Sequence, residues 1–68
     1  MSALTKIAFR KIGHFYEAFN DDARTIAPIL ELTLTERNGV PMCGFPYHML
    51  DMCEKTLLAN GIELQVQS

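Results

Sequence analysis

Apolar and polar positions alternate loosely from Lys6 to Ile12, with Ile7, Phe9 and Lys11 on one side and Ala8, Arg10 and Ile12 on the other. An extended chain turns successive side chains to opposite faces, and aromatic and β-branched residues favour that state. A strand is predicted here, apolar enough on both faces to be largely covered. Gly13 then permits a bulge or an abrupt bend before a helix begins. In the stretch Gly13-His14-Phe15-Tyr16-Glu17 the same alternation sends Phe15 and Glu17 one way and Tyr16 the other. A ring and a carboxylate thus share one surface, with a second ring anchoring the segment from behind.

A helix is predicted from Asp21, capped by Asn20, with Asp21 and Asp22 in the first turn where the helix dipole favours negative charge. Ala23, Ile26, Ala27 and Leu30 recur at helical spacing as its buried stripe. Pro28 conflicts with that stripe: it lacks the donor for the Arg24 carbonyl, so the helix is expected to kink or stop close to Ala27. Leu32 and Leu34 alternate with Thr33 and Thr35 as a half-buried strand ending at Glu36-Arg37, and Asn38-Gly39 is a turn dipeptide. Val40 to Pro46, with its prolines and glycine among apolar residues, reads as an ordered loop. A second helix is predicted from Tyr47 to Asn60, with Leu50, Cys53, Leu57 and Leu58 as its core face and Gly61 as its stop. Ile62, Leu64 and Val66 then alternate with Glu63, Gln65 and Gln67 in a closing strand. The order is β-α-β-loop-α-β, a small sheet packed against two helices. Periodicity leaves open whether that sheet is parallel or mixed.

A chain of 68 residues makes one small domain, with 49% hydrophobic content in the ordinary globular range. It buries only about 60% of its unfolded surface, which leaves room for a partner domain or a second copy to complete the core. A formal charge of −2 argues against a protein that lives by phosphate neutralisation alone. Any nucleic-acid contact is expected to be local, and the most basic stretch is Lys6, Arg10 and Lys11. Cys43 and Cys53 are too few for a disulfide framework, nothing resembles a secretory leader, and no apolar run approaches the roughly 18 residues of a membrane span. The expected setting is a reducing cytoplasm, with no membrane partner.

Chemistry is sparse. His14 and Glu17 fall on opposite faces of an extended segment, no serine or cysteine stands beside them, and there is no glycine-rich phosphate cradle, so no catalytic residue and no cofactor is expected. Cys43, His48 and Cys53 lie five apart, a spacing that matches neither a zinc knuckle nor a paired-cysteine ribbon. Taken alone, Phe15 reads as core and Glu17 as a solvated charge. The residues around them change that.

The run Gly13-His14-Phe15-Tyr16-Glu17-Ala18-Phe19-Asn20-Asp21-Asp22-Ala23 resembles the N-terminal mismatch-recognition domain of the MutS mismatch-repair family, which carries Gly-Asp-Phe-Tyr-Glu running into a phenylalanine and an Asp-Asp-Ala helix start. A second block agrees with it. Leu34-Thr35-Glu36-Arg37 is similar to the family's Leu-Thr-Lys-Arg, and Pro41-Met42-Cys43-Gly44-Phe45-Pro46-Tyr47-His48 to its Pro-Met-Ala-Gly-Ile-Pro-Tyr-His. Two blocks in the family's order make the resemblance specific, and it covers roughly residues 9 to 67. It implies an α/β (α+β) fold like MutS domain I, with a small mixed sheet of about three strands and two helices.

The resemblance also implies a function. In the family the phenylalanine enters the minor groove and stacks on a mispaired or unpaired base, and the glutamate hydrogen-bonds to that base; these are Phe15 and Glu17. Arg37, Met42 and Phe45 become candidates for backbone or groove contacts, while Tyr16, Tyr47 and His48 look like supports. The implied partners are mismatched or distorted duplex DNA, bound weakly in isolation, and other domains or a partner protein supplying clamp and ATPase. The 68 residues carry no ATPase sequence, so ATP hydrolysis is not expected of them. His14 stands where the family has aspartate, and Glu36 where it has a basic residue. The alternative is a MutS-like fold repurposed as a protein-interaction or regulatory module, with Phe15, Met42 and Phe45 as an exposed apolar patch.

Overall fold

The computed structural model describes residues 4–67. Strand β1 (Thr5–Ile12) turns through Gly13-His14 into β2 (Phe15–Phe19), which feeds helix α1 (Asn20–Leu30). Strands β3 (Thr35–Arg37) and β4 (Val40–Pro46) follow, then a short 3-10 turn at Tyr47–Met49, helix α2 (Leu50–Ala59) and β5 (Ile62–Gln67). The five strands form one mixed sheet in the order β3-β4-β2-β1-β5, with β1 and β5 parallel and the other neighbours antiparallel.

The sheet is therefore larger than the three strands expected, because the extended run after Gly13 is a strand of its own and the segment read as a loop pairs as another. Gly13 makes a tight hairpin and not merely a bend: Ile12 pairs with Phe15, and Gly13 takes a φ of 60°. A glycine with positive φ at the first central position is what a two-residue hairpin with the strands' own twist requires. Val40–Pro46 is a strand between β2 and β3 and not a loop. Its prolines stand near its ends, where a missing N–H costs least: Pro41 precedes the pairing with β2, which begins at Met42, and Pro46 is the last residue. The Asn38-Gly39 turn joins β3 to β4 as predicted, both residues at positive φ.

Helix α1 starts without the expected side-chain cap. Phe19 holds the cap position, no side chain bonds the free amides, and Asn20 has a φ of 59°. Nor does Pro28 stop it near Ala27. The proline lies on the exposed outer side within the last turn, and the helix runs on to Leu30. The end is set instead by Glu31 in the left-handed region, whose N–H donates to the Ala27 carbonyl, as does that of Leu32 at 2.8 Å.

Both helices pack on one face of the sheet. Ile7, Phe9, Ala18, Cys43, Phe45, Ile62 and Leu64 from the strands meet Ala23, Ile26 and Ala27 of α1 and Cys53 and Leu57 of α2 in a single core. The rings of Phe9 and Phe45 lie 5.4 Å apart, and those of Tyr16 and Phe45 5.7 Å. Leu58, expected on the core face of α2, is exposed. Leu58 is one step of about 100° round the helix from Leu57, which takes the core position.

Candidate nucleic-acid interface

Among the described residues, the other face of the sheet carries no helix. Residues paired across strands share a face, so the register places side chains in rows. One row is Ile12, Phe15 and Pro46; the next is Arg10, Glu17 and Gly44; beyond it Phe19 stands beside Met42 and Thr35. The alternation read from the sequence holds: Phe15 and Glu17 lie on this open face, while Tyr16 packs behind them against Phe45. Phe15, the first residue of β2, is 45% exposed beside the exposed Ile12.

Glu17 is different. Its side chain is only 7% exposed, and Arg37 closes on it from the edge of the sheet, with Nη1 donating to Oε1 at 2.9 Å and Nη2 to Oε2 at 3.2 Å. Arg37 stands in the row of Val40, so it reaches diagonally over β4, past the position of Met42, to the row of Gly44. Gly44 makes room for this. A Cβ there would come within 3.0 Å of Glu17 Cγ and 2.8 Å of the Tyr16 carbonyl oxygen. On its other side Glu17 has Arg10 as its partner in β1. A buried carboxylate with two charge-assisted bonds is satisfied, and no buried side-chain nitrogen or oxygen among the described residues lacks a partner.

Two of the contact candidates are placed otherwise than expected. Phe45 is 0% exposed and faces the helices, because it sits one residue out of phase with Gly44 and Pro46 on β4. It supports Tyr16 from beneath and offers nothing to a groove. Met42 lies on the open face but is only 6% exposed. A patch made of Phe15, Met42 and Phe45 together therefore does not exist on this surface. Arg37 is on the surface, about half exposed, and engaged with Glu17.

The hairpin tip that presents Phe15 is braced from the far side. The Tyr47 N–H donates to the His14 carbonyl at 2.7 Å, and the two rings are 5.8 Å apart. Lys11 Nζ donates to the Gly13 carbonyl at 3.2 Å and lies 6.0 Å from the centre of the Tyr47 ring. Cys43 is a buried strand residue and not a loop thiol: its Sγ–H donates to the Ala23 carbonyl at 3.6 Å, and burial pushes the thiol up to about 11. Burial raises Cys53 as well.

The pairing of Glu17 with Arg37 joins residues 20 positions apart, and no local pattern announces it. Gly44 could have been read: a glycine inside an apolar strand marks close approach of another group.

The profile of MutS domain I matches residues 2–68. The chain belongs to the MutS domain I family. It is 46% identical over 61 residues to the DNA mismatch repair protein MutS of Treponema denticola, an overlap of 90% of this chain and 7% of that protein. Against the MutS of Salinibacter ruber it is 44% identical over 61 residues, or 82% of this chain and 7% of the other. The MutS of Staphylococcus saprophyticus is 40% identical over 65 residues. This MutS domain I thus spans about 7% of the length of the curated relatives it matches. No described helix is long and apolar enough to cross a membrane.

Proposed function

We propose that this MutS domain I recognises mismatched or distorted duplex DNA from the minor groove, with Phe15 stacking on a mispaired base and Glu17 hydrogen-bonding to the same base, and without catalysis of its own. The observation that carries the reading is the presentation of Phe15: a half-exposed ring at the head of a strand, on a sheet face free of helices, with Tyr16 anchoring the strand from behind.

An aromatic wedge between base steps costs a few kcal/mol of unstacking, and a mispaired base is the least costly to disturb. Discrimination then comes from how easily the duplex deforms and not from a code of base edges. Glu17 adds little affinity, since a carboxylate near phosphates is unfavourable until a base donor offsets it. The rest of a MutS protein is the natural source of a clamp and an ATPase, and the cytoplasm is where the chain is proposed to work.

Competition between a duplex with one G·T mismatch and the fully paired duplex, at low salt, tests this. The chain should prefer the mismatched duplex by on the order of tenfold, and Phe15→Ala should abolish the preference. Equal affinity for the two duplexes, unchanged by Phe15→Ala, removes the mismatch reading.

A further inference from the structure

We propose that Arg37 is a positioning residue for Glu17, and that the two meet DNA as one charge-compensated unit in which the guanidinium stays on the carboxylate while a base is bound. This rests on the reading of Glu17 as the base-contacting acid.

The geometry favours a working pair over a chance surface contact. The Glu17 side chain is 7% exposed and that of Arg37 49%, so an approaching duplex meets the guanidinium before the carboxylate. Both carboxylate oxygens accept from Arg37, at 2.9 and 3.2 Å, in the planar fork that fixes direction as well as distance. Gly44 leaves the floor on which the Glu17 side chain lies, and a Cβ there would take that space. Each carboxylate oxygen still keeps an acceptor site when it holds one guanidinium N–H, so a base N–H can be taken without releasing Arg37. The charge consequence is the larger one. A bare carboxylate brought beside phosphates is repelled by every duplex, mismatched or not, and a guanidinium in direct contact offsets that repulsion at any sequence. Arg10, across from Glu17 on β1, is exposed, and the ion pair of Glu17 is made with Arg37.

A double-mutant cycle on the 68-residue chain tests the pairing, read on the paired and the G·T duplex separately. Arg37→Ala should weaken the paired duplex about tenfold and the mismatched duplex about threefold, because a base donor replaces part of the lost compensation only in the second. Glu17→Gln introduced with Arg37→Ala should recover most of the loss on the paired duplex, since the uncompensated charge is gone. Arg37→Lys, which keeps the charge but not the fork, should recover the paired duplex to within about threefold of the parent. Equal losses on both duplexes that persist unchanged with Glu17→Gln would show Arg37 to be a plain phosphate contact and overturn the proposal. The unsubstituted chain supplies a second readout: the bond to Glu17 should slow exchange of the Arg37 Nη protons in NMR spectra relative to Glu17→Gln, and that protection should persist when duplex is added; its loss on binding would equally overturn the proposal. The coupling on the paired duplex stands or falls without any mismatch preference, so its failure is distinguishable from failure of the mismatch reading, which the Phe15→Ala comparison reports.

Discussion

At Gly44 one missing Cβ controls two strands. A methyl group there would stand 2.8 Å from the Tyr16 carbonyl oxygen and 3.0 Å from Glu17 Cγ. The side chain could move, but the backbone oxygen belongs to the β2–β4 ladder and cannot. Gly44→Ala is expected to destabilise the domain by about 1–3 kcal/mol, the usual cost of forcing an extra carbon into packed structure, measured by urea denaturation. It should also unseat Glu17 from Arg37, so an unchanged denaturation midpoint would show that β4 can shift and that the seat is not tight. The same scale explains why Phe15 and Phe45, two phenylalanines in two similar-looking apolar runs, have opposite fates. Each obeys its own strand's alternation, and the phase of that alternation is set by the register with the neighbour.

Among the elements, α1 is held more by its neighbours than by its own ends. It lacks a side-chain cap, carries Pro28 in its last turn and closes on Glu31 at φ 57° and ψ 41°. A non-glycine residue in that region is strained by roughly 1–2 kcal/mol, and only glycine occupies it freely. Glu31→Gly should therefore raise stability by about 0.5–1 kcal/mol, partly offset by the greater freedom of glycine in the unfolded chain, and move the thermal midpoint up. A fall in midpoint would mean that the Glu31 side chain contributes a contact its exposure does not suggest. What holds α1 in place is its buried stripe of Ala23, Ile26 and Ala27, small enough to let the helix lie close to β2 and β4.

Across the whole molecule the sheet separates two tasks. One face makes the core with both helices, and among the described residues the other carries no helix, so the residues that hold the fold together are not those proposed to meet DNA. The core contains a titratable group, and its ionisation links stability to pH. Burial raises the Cys43 thiol from its ordinary 9.0 to about 11, so the folded chain keeps the proton that the unfolded chain releases. The contribution is fully present below about pH 9 and is lost as pH rises towards about 11, with Cys53 acting in the same direction. Denaturation midpoints should fall across that window, and Cys43→Ala should make the fall shallower; an identical slope in the variant would show that other groups carry it.

Much of this was legible in the residues themselves. Local periodicity located β1, both helices, the Asn38-Gly39 turn and β5, and alternation alone assigned Phe15 and Glu17 to one face with Tyr16 behind. The two family blocks carried the kinship. Hidden from any local reading were the separation of β2 from β1 and the existence of β4 as a strand, because short runs bounded by glycine and proline resemble bends and loops until a partner satisfies their backbone. Hidden too were the inward face of Phe45 and the closure of Arg37 on Glu17, both consequences of strand register. Periodicity acts over neighbours in the chain, whereas register is set by pairing between segments far apart in it. A sequence thus discloses which side chains share a face long before it discloses which strands that face will lie between.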